Sequence, residues 1–353
     1  MRLFINTAHS AHAGRQEMHR GRLMACVETP QRLTRVAQAL QALGWPAKAA
    51  PEHLSATTQA LLARVHDPAY LAFLRSAWSR WCAQHPGVPA HDVGDLLPDV
   101  WPTRGMRQDR IPANFAGEVG HYAFDSGSPI TAGTWDAAWQ GACCAVAAAD
   151  AVGRGEAACA FALTRPPGHH AGVDSYGGYC FINNAAVAAE HLRDLGHARV
   201  AILDIDYHHG NGTQAIFAAR ADVLTLSIHG DPNTEYPFFL GHADERGEGP
   251  GLGANRNWPL PRGTGFALWR SALREAMDEL QTWGATALVV PMGLDTAAED
   301  PISGFTLQTT DFGCIGRDLA SLGLPTVFTF EGGYATEAIG CNAAQLLQQY
   351  ASS

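Results

Sequence analysis

The sequence predicts an α/β fold of three αβα layers around a mostly parallel sheet, and three observations predict it. From about residue 134 onward, short apolar runs alternate with segments of helical periodicity. Runs such as VAILDID (200–206) and TALVVPM (286–292) are almost continuously apolar, as strands covered on both faces should be. Acids, histidines and tyrosines then cluster just after several of these runs, where parallel sheets bind ligands.

The chain opens on a strand at residues 2–5, followed by a polar His/Arg-rich loop to about residue 28. Thr29-Pro30 starts a helix: Leu33, Val36, Ala37, Leu40 and Leu43 recur at helical spacing, and Gly44 ends it. Two more helices fit residues 56–65 and 68–82, the second announced by Asp67-Pro68. Residues 85–130 are rich in proline and glycine and lack periodicity, so they read as a long inserted loop. Helices are then expected at 134–153, 183–195, 212–220, 265–283, 309–322 and 336–350. Strands are expected at 158–163, 199–206, 222–228, 286–291 and 325–330. No linker-like stretch divides the chain, so residues 1–353 read as one domain.

Composition narrows the function. A formal net charge of −10 argues against nucleic acid as a partner. Eight cysteines without a CxxC pair suit reduced thiols in a cytoplasmic protein. The N-terminal apolar run is too short for a signal peptide, and no stretch is long enough to span a bilayer.

The strongest chemical signal is AILDIDYHHGNG (201–212). Asp204, Asp206 and His208 are spaced two apart, which on a strand would point all three to one side. Three polar groups ending an apolar strand are costly unless paired or metal-bound. A catalytic metal needs three protein ligands and an open position. Asp206 and His208 supply two, and Asp295, after another apolar run, is preferred to Asp300 as the third. Such an Asp₂His set suits zinc and also Fe(II). Asp204 then lies behind the metal, where backbone carbonyls near Asp206 and His208 and the Ser227 hydroxyl suit a structural monovalent cation, K⁺ or Na⁺. RPPGHH (165–170) offers His169 and His170 as two imidazoles with separable proton-transfer roles. Asp204 is available to one ring and Asn211 to the other, which would push their pKa values apart. EGGY (331–334) frees the chain to aim Tyr334 inward as an oxyanion donor.

Together RPPGHHAGVDSYGGYCFINN (165–184), ILDIDYHHGNGTQ (202–214), GLDTAAEDPIS (293–303) and EGGY resemble the zinc-dependent deacetylases, a family that includes histone deacetylases and bacterial acetylpolyamine amidohydrolases. The resemblance implies the arginase/deacetylase fold and hydrolysis of an acetyl amide. It implies one zinc on Asp206, His208 and Asp295, with His169–Asp204 and His170–Asn211 as the acid–base pair and Tyr334 as the oxyanion tyrosine. It further implies that the Gly178 carbonyl receives the substrate amide N–H, that Tyr179 lines the channel, and that Arg32 lies near an acetate exit. VHDPAYLAFL (65–74), WPTRGMRQDRIP (101–112) and HGDPNTEYPFFLG (229–241) are similar to the polyamine branch. That branch implies acetylputrescine- or acetylcadaverine-like substrates, a homodimer formed through the 85–130 insertion, and an ammonium-attracting role for Glu17. The alternative for Glu17 is an exposed loop carboxylate. Small residues stand around Ala116 and Gly127 where relatives carry glutamates, although Glu118 and Asp125 are close.

Three rivals remain at this level. Ureohydrolases of the same fold class hold two manganese ions through a D-x-H-x-D strand end, but here Gly210 replaces the last Asp. Protein acetyl-lysine would keep the chemistry and change the substrate. A non-catalytic binding module would leave the His pair and Tyr334 without purpose.

Overall fold

The structure, a computed structural model, describes every residue except Arg20. In chain order its elements are β1 (Arg2–Ile5), β2 (Gln16–His19), β3 (Arg22–Ala25), α1 (Pro30–Ala42), α2 (Ser55–Val65), α3 (Pro68–Ala83), α4 (Phe115–Tyr122), α5 (Thr134–Gly153), β4 (Cys159–Leu163) and α6 (Asn184–Asp194). Then follow β5 (Val200–Asp204), α7 (Asn211–Phe217), β6 (Val223–Gly230), β7 (Asn255–Leu260), α8 (Phe266–Trp283), β8 (Ala287–Met292), α9 (Thr309–Ala320), β9 (Thr326–Phe330) and α10 (Ile339–Ser352).

Seven strands form one sheet in the order β1-β4-β9-β8-β5-β6-β7, every neighbouring pair parallel. Period-two alternation splits the strands between two cores. Ala160, Ala162, Val200, Ile202, Val289 and Val327 face α2, α3, α5, α6 and α7. Phe161, Leu163, Ala201, Leu203, Val290 and Phe328 face α1, α8, α9 and α10. Because both sheet faces are covered, a strand can stay apolar along its whole length. Alanines line the buried length of α5, so that helix packs closely against both the sheet and α6. Asp67 caps α3 by accepting from the Ala69 and Tyr70 N–H groups, with Pro68 at the first helical position. This is the three-layer arrangement expected from the sequence.

Several local expectations are corrected. The segment expected to be a polar loop holds the antiparallel hairpin β2–β3, with Glu17 opposite Met24. The edge strand β7 (NRNWPL) was not expected; its polar residues and Pro259 mask a strand, and proline is tolerated at a sheet edge. The 85–130 insertion is irregular except for α4, whose N-cap is Asn114. β5 ends at Asp204, two residues short of the expected strand, while β6 runs to Gly230, two residues beyond its expected end.

Candidate metal and catalytic site

The shorter β5 changes how the acids converge. Asp206 and His208 do not share a strand face with Asp204; they lie on the turn beyond it. Side chains hold that turn. The Asp206 N–H donates to Asp204 Oδ1 (3.0 Å), and the His208 N–H donates to Asp206 Oδ1 (2.8 Å). The Tyr207 N–H donates to Asp295 Oδ1 (2.9 Å) and the Gly332 N–H to Asp206 Oδ2 (2.7 Å). The prospective ligands therefore also cap the backbone that carries them.

Asp206, His208 and Asp295 bring their ligand atoms within 4.8 Å of one another, all buried. His208 Nδ1 lies 3.1 Å from Asp295 and 3.4 Å from Asp206. Burial, then the neighbouring Asp206 charge, pushes the Asp295 carboxyl up to about 7. Two buried carboxylates this close need a cation, and two acids with one imidazole form a donor set suited to a divalent ion. The backbone accommodates the carboxylates only because Gly293 and Gly332 lack side chains: a Cβ would stand 2.2 Å from Asp206 Oδ2 and 2.3 Å from Asp295 Oδ2, respectively. Asp300 is engaged elsewhere. It accepts from the Tyr334 N–H (2.7 Å) and the Ile302 N–H (3.1 Å), tying the Asp295 loop to the Tyr334 loop.

The tandem histidines lie on the loop after β4, beside this cluster, with ring centroids 4.0 Å apart. His169 Nδ1 lies 3.0 Å from Asp204 Oδ2, and His170 Nδ1 lies 2.7 Å from Asn211 Oδ1 at the start of α7. Burial opposes charge on His169, but the Asp206 and Asp204 carboxylates outweigh it and lift the ring to about 10. A divalent ion on Asp206 would cancel the largest of those attractions. Burial, then the charges of His169 and His208, pushes His170 well below its ordinary value. The two rings therefore differ in their proton affinity.

Tyr334 enters from the loop after β9, its ring 4.6 Å from the buried Arg32 guanidinium. Arg32 donates to the Glu331 and Gly333 carbonyls and, at 2.7 Å, to Glu28. Glu331, not singled out from the sequence, accepts from the Gly168 (2.6 Å) and His169 (3.2 Å) N–H groups and clamps the histidine loop. His169, Cys180 and Glu331 form a second close group. Glu331 also receives the Thr329 hydroxyl (2.9 Å), and burial holds the Cys180 thiol far above its ordinary value, so this group serves as a clamp.

These elements close around a cavity of about 650 Å³ whose lining includes His170, His208, Gly178, Tyr179, Tyr334 and Glu17. Glu17 is buried on β2, not an exposed loop carboxylate, and the Tyr179 hydroxyl donates to it at 3.0 Å. Asp125 and Tyr236 also line the cavity; the first was noted from sequence only as a nearby acid, and the second was missed. Glu118 instead pairs with Arg80 of α3 and is not among the lining residues. Ser227 is the register partner of Asp204, with its hydroxyl 2.8 Å from His229 Nδ1.

Residues 26–350 match the model of the histone deacetylase domain. The chain is 50% identical over 343 residues to acetylpolyamine amidohydrolase 1 of Pseudomonas aeruginosa, covering 97% of this chain and 96% of that protein. It is 41% identical to the acetylpolyamine amidohydrolase of Mycoplana ramosa, covering 99% of each. A crystal structure of an acetylpolyamine aminohydrolase from Burkholderia pseudomallei superposes with a TM-score of 0.92 at 38% identity, covering 100% of this chain and 99% of that one.

Proposed function

Because this chain belongs to the histone deacetylase domain family, we propose that it is a single-domain, zinc-dependent amidohydrolase that deacetylates small acetylated amines such as N-acetylputrescine and N-acetylcadaverine. One observation carries this reading: His208, clustered with Asp206 and Asp295, shares one cavity with His170, Tyr334 and a carboxylate, Glu17, and His169 stands beside His170 with a different partner. The names of the relatives support the substrate class.

Asp206, His208 and Asp295 hold the metal, with Fe(II) the alternative to zinc. When bound, the ion polarises the acetyl carbonyl and lowers the pKa of the attacking water. With Asn211 Oδ1 as acceptor, His170 carries its proton on Nδ1 and leaves Nε2 free to receive one. His169, held by Asp204, shares the proton traffic and returns a proton to the leaving amine. The Tyr334 hydroxyl donates to the carbonyl oxygen as negative charge develops there. The Gly178 carbonyl accepts the amide N–H, Tyr179 flanks the alkyl chain, and Glu17 attracts the distal ammonium. Asp204, Ser227 and the Asp206 and His208 carbonyls would hold a structural K⁺ or Na⁺. Arg32, buried beside Tyr334, would guide the departing acetate.

The enzyme works as a cytoplasmic homodimer in this reading. Exposed Met18, Leu23, Met24, Phe238 and Phe239, together with Val100, Met106 and Ile111 of the insertion, offer apolar surface for a second copy. No helix among the described residues is long and apolar enough to cross a membrane.

A substrate panel on zinc-loaded protein tests the assignment. N-acetylputrescine and N-acetylcadaverine should turn over with higher kcat/KM than an acetyl-lysine peptide. A strong preference for the peptide would transfer the function to protein deacetylation.

A further inference from the structure

Residues 177–180 form a tight turn closed by hydrogen bonds in both directions between Gly177 and Cys180. Both central residues are left-handed: Gly178 has φ +55° and Tyr179 has φ +66°. The second value is uncommon for a bulky side chain and is kept only where surrounding contacts enforce it. The turn also presses on the catalytic machinery, since a Cβ on Gly178 would stand 2.2 Å from the His170 ring. Something outside the turn has to hold it.

Asp125 supplies that hold. Its Oδ2 accepts from the Gly178 N–H at 2.7 Å and from the Tyr236 hydroxyl at 2.7 Å. Its Oδ1 accepts from the Gly127 N–H at 3.0 Å and from the Ser128 hydroxyl at 3.1 Å. Ser128 Oγ in turn accepts from the Tyr179 N–H at 2.8 Å. Both N–H groups of the left-handed turn thus end on one carboxylate, one directly and one through a buried hydroxyl. The second link fixes more than the turn. The Tyr179 N–H and the Gly178 carbonyl belong to one planar trans peptide and point in opposite directions, so anchoring the N–H sets the aim of the carbonyl. Tyr236, tethered by the same carboxylate, packs edge-on to His170 with ring centroids 5.2 Å apart.

We propose that Asp125, acting partly through Ser128, is the positioning residue that aims the Gly178 carbonyl at the substrate amide N–H and thereby favours amides over the matching esters. This rests on the amine-deacetylase reading above. The carboxylate has no role in bond cleavage. It fixes an acceptor that an amide can use and an ester, lacking the N–H, cannot.

The test compares N-acetyl-1,5-diaminopentane with 5-aminopentyl acetate, which share the acetyl group, the chain and the distal ammonium. Asp125→Asn replaces an acceptor oxygen by an N–H₂ that cannot receive the same donors. The amide-to-ester ratio of kcat/KM should fall by about 30-fold or more, because small displacements of positioning groups cost up to about 100-fold. Metal content should match wild type. Ser128→Ala keeps the carboxylate and should lower the same ratio to a lesser degree; it carries the test if Asp125→Asn does not fold. Equal losses on amide and ester, or no loss on the amide, would overturn the proposal. A wild-type protein that cleaves the ester but no N-acetylated diamine would defeat the deacetylase reading instead.

Discussion

The two ends of the cavity are built by different means. At its floor, groups follow four strand ends of one parallel sheet: His169 and His170 after β4, Asp206 and His208 after β5, Asp295 after β8, Tyr334 after β9. Most are fixed by backbone N–H groups or a charged partner, as Asp204 fixes His169, while the neutral Asn211 side chain holds His170. The upper wall comes from the β2–β3 hairpin, the end of the 85–130 insertion and the 229–241 loop, cross-tied by side chains such as Tyr179–Glu17 and Tyr236–Asp125. The floor is held by the sheet, whereas the wall is held by a few hydrogen bonds between segments far apart in sequence. Chemistry should therefore reside in the first and substrate choice in the second.

Mutations can break that division. The largest effect is expected at the floor: Asp295→Ala should lower metal content to near zero and turnover by about a thousandfold or more, read by elemental analysis and steady-state kinetics. Next, His170→Ala and Tyr334→Phe should each cut kcat by about 10²–10⁴-fold, with metal content and thermal midpoint close to wild type. Near-normal rates in both would remove the proposed proton transfer and oxyanion contact.

At the wall, Glu17→Gln should raise KM for N-acetyl diamines about tenfold and leave kcat nearly unchanged. This effect should depend on pH in a definite direction. Burial pushes the Glu17 carboxyl up to about 7, aided by the nearby Glu28 and Asp125 charges and opposed by hydrogen bonds from Tyr179 and Val27. The carboxylate is therefore present above that pH and lost below it, while the distal ammonium stays charged throughout. The difference in kcat/KM between wild type and Glu17→Gln should widen from pH 6 to pH 8; a difference independent of pH would remove Glu17 as the ammonium partner. The smallest effect belongs to Glu118→Ala, which breaks a partly exposed pair with Arg80. It should cost about 0.2–1 kcal/mol in denaturant unfolding and leave kinetics untouched. A changed substrate preference there would extend the specificity wall beyond the cavity.

The same division explains what the sequence revealed. Floor residues were legible because an apolar run that stops abruptly at an acid or histidine is costly without a partner, and several such runs alternate with helices. The convergence was legible for a partly mistaken reason: Asp206 and His208 meet through a hydrogen-bonded turn after β5, not through strand alternation. Asp295 was preferred to Asp300 from its place after an apolar run, but the service of Asp300 to the Tyr334 N–H was not legible, because it links loops 34 positions apart. Asp125 was only a nearby acid, since its partners Gly178 and Tyr236 lie 53 and 111 positions away and the insertion has no periodicity to place it. β7 escaped because its polar side chains carry little hydrophobic pattern, and the β2–β3 hairpin because β2 is mostly polar while the apolar residues of β3 are exposed and do not alternate.

Anomalous diffraction at the zinc edge from zinc-loaded crystals tests the proposed metal floor most directly. A single strong peak per chain, within bonding distance of Asp206, His208 and Asp295, is the predicted result. A peak elsewhere, or a pair of metal peaks between β5 and β8, would contradict a single catalytic ion held by these three side chains.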